Sequence, residues 1–82
     1  IYFFISYIII IMKSKKIQIV INGDTKLINF NQSLIDLLNI LHIKNNAIAV
    51  EINREVIPKS LYSSTILKEN DIIEILQFIG GG

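Results

Sequence analysis

The alternation of Ile17, Ile19 and Ile21 with Gln18, Val20 and Asn22 restricts the fold of this chain more than any other feature. Side chains two residues apart lie on the same side of an extended backbone, so the pattern describes a strand with one buried face. Asn22-Gly23 comes directly after it. Both residues tolerate positive φ, which makes this dipeptide a favoured centre for a tight hairpin turn. A second strand, roughly Lys26 to Phe30, is predicted to return antiparallel to the first.

The period then changes. Leu34, Leu37, Leu38 and Leu41 follow the spacing of a helix with one apolar stripe. Ser33 stands at the N-cap, and Asp36 occupies a capping-box-like position that also suits the positive helix end. Lys44, Asn45 and Asn46 are expected to end the helix. Alternation resumes with Ile48, Val50 and Ile52. Asn53-Arg54 is then a turn candidate, and Pro58 ends ladder pairing or confines its own segment to a sheet edge. In the polar stretch after it, Leu61, Ile66 and Leu67 are the expected inward anchors. A last strand places Ile73, Ile75 and Gln77 on one face and Ile72, Glu74, Leu76 and Phe78 on the other. A hairpin, a crossing helix and further strands make an α+β domain whose helix covers one face of a sheet.

Composition removes several functions. The 82 residues suffice for one small domain, and with no cysteine there is neither a disulfide nor a thiolate metal site. The 8 basic and 7 acidic residues are scattered, which argues against a nucleic-acid stripe or a polybasic membrane patch. His42 is a single histidine, and it reads as a residue at the helix C-terminus near the favourable end of the dipole. Ser63, Ser64 and Thr65 read as a turn, since a nucleophile would need a histidine and a carboxylate beside it. Glu69, Asp71 and Glu74 read as a solvated face rather than a cation site. Asn22-Gly23-Asp24 lacks the further glycines and the lysine of a phosphate loop. No set of residues makes this chain an enzyme by itself.

Residues 1–11, IYFFISYIIII, differ from the rest in carrying no charge. They fall short of the roughly 20 apolar residues that span a bilayer as a helix. They also lack the positive flank and small-residue cleavage site of a signal peptide. They are expected to be upstream sequence or a disordered extension, a short membrane anchor being the other reading, with the functional domain running over residues 12–82. Seven lysines against one arginine, with abundant isoleucine and asparagine, fit an AT-rich genome, bacterial or organellar.

Three of the four glycines close the chain at Gly80, Gly81 and Gly82. Such a tail has no side chains to bury and, lacking Cβ atoms, fits narrow channels. Its distinctive group is the α-carboxylate of Gly82, ionised at neutral pH. A carboxylate is a poor electrophile, but as an acyl-adenylate it would have a good leaving group and could accept sulfur.

Three stretches now combine: AVEINREVIPKS, then LKENDIIEIL entering the last strand, then glycines after an apolar residue. In this order, over about residues 16–82, the chain resembles the ThiS family of sulfur carriers in thiamine biosynthesis. The resemblance implies a β-grasp, ubiquitin-like fold with a mixed sheet and one helix packed across it. It implies that a ThiF-type adenylating enzyme uses ATP and Mg²⁺ to activate Gly82. A sulfur donor would then convert Gly82 to a thiocarboxylate, consumed by a thiazole synthase of the ThiG type. Gly80 and Gly81 would form the arm inserted into partner active sites, with Phe78, Ile79 and Lys59 as a possible partner surface. Asn70 stands where the family often has glycine, and Lys59 where an arginine would follow the proline. Two other readings are a molybdopterin-synthase-type carrier, which shares the fold and the glycine end, and a plain β-grasp binding module. A carrier of this kind is expected in the cytoplasm of an AT-rich bacterium or in a plastid stroma, bound to neither nucleic acid nor membrane.

Overall fold

The computed structural model describes residues 4–9, 15–44 and 48–77. Strands β1 (Lys16–Ile21) and β2 (Asp24–Asn29) form the first hairpin, followed by helix α1 (Leu34–Ile40). Strands β3 (Ile48–Ile52) and β4 (Glu55–Val56) form the second hairpin. A short 3-10 turn, Lys59–Leu61, leads towards β5 (Ile72–Gln77). The five strands make one sheet in the order β2-β1-β5-β3-β4. β5 pairs parallel with β1 and antiparallel with β3, so the last strand in sequence is the central strand in space.

The isoleucine alternation does what a period of two requires. Ile17, Ile19 and Ile21 of β1 face the same core as Val50 and Ile52 of β3 and Ile73 and Ile75 of β5. Leu34, Leu37 and Leu38 of α1 cover that face, and all three are buried. The capping box is complete: Ser33 Oγ accepts from Asp36 N–H (3.1 Å), and Asp36 Oδ2 accepts from Ser33 N–H (3.2 Å). Two more donors of the first turn find partners outside the helix. Leu34 N–H donates to Thr65 O (2.8 Å) and Ile35 N–H to Tyr62 O (3.1 Å). The loop after the 3-10 turn is thereby fastened to the start of α1, and the orphan donors of a helix terminus are satisfied.

Three expectations need correction. β2 begins at Asp24, not near Lys26, because the turn takes only Asn22 and Gly23, at φ 48° and 86°. The helix ends at Ile40, before Lys44. His42 adopts a left-handed φ of 58°, and Ile43 N–H reaches back to Leu38 O (2.9 Å) while His42 N–H reaches Asn39 O (3.1 Å). That pair of bonds is the Schellman motif, with histidine in the position glycine usually fills. Finally, Leu61 and Ile66 are exposed, and the anchor of that stretch is Tyr62, 2% exposed, together with Leu67. The 3-10 turn at Lys59–Leu61 changes which residue in this stretch faces inward, a reversal that a linear pattern does not specify.

Among the described residues no helix is long and apolar enough to cross a membrane. Residues 4–9 are helical, and the large apolar side chains among them are exposed.

Candidate functional site

The candidate tail residues Phe78, Ile79, Gly80, Gly81 and Gly82 lie outside the described residues. What the structure describes is the strand that leads into them. β5 is held on both sides, and each hairpin turn contributes an asparagine to holding it. Asn22, first residue of the β1–β2 turn, acts as a piece of extra strand. Its side-chain oxygen accepts from Ile75 N–H (2.8 Å), its amide donates to Ile75 O (3.2 Å), and its own N–H donates to Ile73 O (2.9 Å). Asn53, first residue of the β3–β4 turn, accepts from Ile72 N–H (2.9 Å) and donates to Asp71 Oδ1 (3.0 Å), and its N–H donates to Ile72 O (2.8 Å). Both asparagines have positive φ, 48° and 52°, which turns the side chain back along the sheet.

The approach to β5 is equally fixed. Asp71 is buried, and besides Asn53 it receives Lys68 N–H on Oδ2 (2.8 Å). Glu69 Oε2 accepts from Gln18 N–H (2.8 Å), and Asn70 takes a left-handed φ of 68°. The expectation of a solvated acidic face therefore holds for the exposed Glu69 and Glu74 and fails for the buried Asp71. Glu69 and Asp71 are turn-forming acceptors, and the left-handed role foreseen for Asn70 is the one it plays. Among the described residues no group of acids and histidine is placed to hold a metal ion.

Other candidates take structural positions. Ser64 and Thr65 hydroxyls donate to Leu61 O at 3.2 Å and 2.6 Å, closing a turn. His42 ends α1 and lines a shallow groove with Asp24, Lys26 and Gln77. Lys59 is exposed on the 3-10 turn after Pro58, well before β5 in the chain. Burial pushes the Tyr62 phenol above its ordinary value of 10.0.

The sheet face opposite α1 has a composition of its own. Val20, Ile72 and Leu76 lie on it, with Ala49, Glu51 and Glu74, because they alternate with the core residues of their strands. Ile72 and Leu76 are 54% and 57% exposed. Glu51, Asn53, Arg54, Ile72 and Glu74 line a depression on this side.

A parallel β1–β5 pair thus lies within a mixed five-stranded sheet, with α1 packed across one face. The ThiS family profile matches residues 19–82. The chain belongs to the ThiS family.

It is 39% identical over 71 residues to the uncharacterized protein ycf40 of Porphyra purpurea, covering 87% of this chain and all of that one. The sulfur carrier protein ThiS of Bacillus subtilis is 43% identical over 47 residues, 57% of this chain and 71% of the relative. The thiazole synthase of Paramagnetospirillum magneticum is 37% identical over 65 residues, which are 79% of this chain but only 20% of the synthase. The crystal structure of thiamine biosynthesis protein ThiS from Geobacter metallireducens superposes with a TM-score of 0.70 at 28% identity, over 80% of this chain and all of the other. The chain thus belongs to the ThiS sulfur-carrier family of thiamine biosynthesis and has its β-grasp fold. The resemblance drawn from AVEINREVIPKS, LKENDIIEIL and the glycine end thus identified the right family.

The sequence reading missed the two asparagine grips and the facing of Glu51 against Glu74. The first left a signal, an asparagine opening each two-residue turn. The second left none, because it depends on strand register.

Proposed function

We propose that the α-carboxylate of Gly82 is the group on which this chain carries sulfur. An adenylating enzyme of the ThiF type, using ATP and Mg²⁺, joins the carboxylate oxygen to the α-phosphorus of ATP and expels pyrophosphate. Hydrosulfide, or a donor at that oxidation level, then attacks the acyl carbon. The C–S bond forms as the C–O bond to AMP breaks, one carboxylate oxygen leaves on AMP, and the product is a terminal thiocarboxylate. A thiazole synthase takes the sulfur from it.

The observation that carries this reading is the run of three successive glycines that follows Phe78 and Ile79 in sequence, after the central strand of a ThiS-family sheet. Glycine suits both demands on such an arm, a slender cross-section and freedom of φ inside another protein's channel. The protein itself holds the strand through the asparagine grips at Ile72, Ile73 and Ile75 and has no side-chain thiol to compete for the sulfur. The occurrence of a related segment within thiazole synthase chains supports that enzyme as the acceptor.

The test is intact-protein mass spectrometry after incubation with ATP, Mg²⁺, a ThiF-type enzyme and sulfide. The expected result is a mass gain equal to one oxygen exchanged for sulfur, absent from a chain lacking Gly82. An unmodified full-length chain beside an adenylating enzyme shown to be active on another carrier would overturn the reading.

A further inference from the structure

Of the eight asparagines in the chain only Asn22 precedes a glycine, and this same asparagine grips the central strand. Asparagine is chemically labile because the backbone nitrogen of the next residue can attack its side-chain carbonyl carbon. Glycine hinders that attack least, since no Cβ shields its nitrogen. At Gly23 nothing lies within 4 Å of where a Cβ would stand, and no acceptor among the described residues takes its N–H. Asn22 is exposed as well, so water reaches the site.

The fold holds the reacting atoms apart. β2 and β5 flank β1 on opposite sides, so the chain leaves Asn22 towards β2 while the Asn22 amide is turned the other way, onto β5. There Oδ1 accepts from Ile75 N–H (2.8 Å) and the amide nitrogen donates to Ile75 O (3.2 Å). Closing a ring between the Asn22 side-chain carbon and the Gly23 nitrogen requires both bonds to break and the amide to swing back over the turn. Two neutral hydrogen bonds are a modest lock, and they hold down the opened population by about tenfold. Asn53 grips β5 from the other hairpin turn, but its successor is Arg54, whose side chain crowds the attacking nitrogen. Two turns with the same signs of φ therefore differ in the lability of their asparagines.

We propose that Asn22 is a spontaneous modification site whose conversion releases the central strand. When the grip opens, the Gly23 nitrogen attacks the Asn22 side-chain carbon. The new C–N bond forms as the bond to the amide nitrogen breaks. The proton of the Gly23 N–H goes to the departing group, and ammonia leaves behind a five-membered succinimide. Water then adds to one of the two ring carbonyls and opens the ring, to aspartate or to isoaspartate. Neither product reproduces the grip. An aspartate keeps an acceptor for Ile75 N–H but sets a carboxylate oxygen against Ile75 O, where the amide had donated. An isoaspartate adds a backbone carbon to a turn built for two residues and displaces both side-chain atoms. The β1–β5 ladder covers only Val20↔Ile72 and Ile21↔Ile73, so it offers Ile75 no replacement. Ile75 is buried, and a polar backbone group left unpaired there opens the strand locally. The released strand is the one that leads to Gly82, and the proposal holds whether or not sulfur is carried there.

The test ages the full chain at mildly alkaline pH, folded and in concentrated urea, and follows its tryptic peptides by mass spectrometry. The expected change is the replacement of one NH by O in the peptide covering residues 17–26, with aspartate and isoaspartate both present. It should run about tenfold faster in urea than in the folded chain, and Asn53 should stay intact over the same period. In urea, where folding plays no part, Gly23→Ala should slow the reaction about tenfold or more, and Arg54→Gly should create a second site at Asn53. The converted chain, separated by its added charge, should exchange the Ile75 amide hydrogen about tenfold faster, and Asn22→Asp should show the aspartate share of that effect. An intact Asn22 in the folded chain after full conversion in urea would overturn the proposal, as would equal rates in the two states. Conversion at Asn53 matching that at Asn22 would sink it as well. So would an Ile75 exchange rate that conversion leaves unchanged.

Discussion

The two hairpin turns of this protein are built to one plan and differ at one residue. Each has a two-residue turn with both φ values positive, the signature of the type I′ turn that suits the twist of paired strands. Each opens with an asparagine whose side chain bonds the backbone at β5. The first turn closes with Gly23 and the second with Arg54. Glycine adopts that conformation freely, and nothing lies within 4 Å of where a Cβ would sit at Gly23. The comparison separates two purposes that a hairpin can serve. The β1–β2 turn is chosen for the fold, whereas the β3–β4 turn accepts strain at Arg54, a residue that borders the depression on the open face.

The asparagines give the largest test of this comparison. Asn53→Ala removes the partner of Ile72 N–H and one of two partners of the buried Asp71 carboxylate. A loss of about 2–3 kcal/mol in urea unfolding is expected, since hydrogen bonds to charged groups exceed neutral ones. Asn22→Ala removes two neutral bonds to Ile75 and should cost about 1–2 kcal/mol. Equal losses, or a larger one for Asn22, would mean that the carboxylate adds nothing.

The second turn positions should respond with opposite signs. Gly23→Ala places a Cβ at φ 86° and should destabilise by about 1 kcal/mol through backbone strain alone. Arg54→Gly relieves the same strain and should raise the unfolding midpoint by a similar or smaller free energy, about 0.5–1 kcal/mol. A destabilised Arg54→Gly would show that the arginine serves the fold, and would erase the distinction between the hairpins.

The smallest effect is confined to alkaline pH. Burial raises the Tyr62 pKa above 10.0 in the folded state, so the folded chain holds that proton more tightly than the unfolded one. The associated stability is complete below the unfolded value and is lost as pH rises from there through the folded value. Tyr62→Phe should therefore flatten the decline in urea midpoint above about pH 10 while leaving the profile at neutral pH unchanged in shape.

Much of this architecture could be read along the chain. The isoleucine alternation of β1, the leucine stripe of α1, the Ser33–Asp36 cap and both turn dipeptides are local features with local causes, and each appears where expected. The misreadings share one origin. His42 stops the helix by adopting the left-handed conformation that glycine or asparagine normally supplies, so composition pointed to residues 44–46 instead. Tyr62 is buried and Leu61 exposed because the 3-10 turn and the bond from Ile35 N–H to Tyr62 O rotate that stretch inward. Hydrophobicity alone ranks those two residues the other way. Asp71 is an acid in a polar stretch, but it is buried because its carboxylate accepts from Lys68 N–H and the Asn53 amide.

Periodicity, capping and φ preference act over a few residues, and so the elements, the two tight turns and the family were all legible in the chain. The central place of the last strand was not, because it is a product of packing. Asn22 meets Ile75 across 53 residues of chain, and Glu51 meets Glu74 only through the β3–β5 register. Neither encounter arises from local preference. Both arise from burying one face of each strand under a single helix, which fixes the order and register of the strands and leaves the opposite face open.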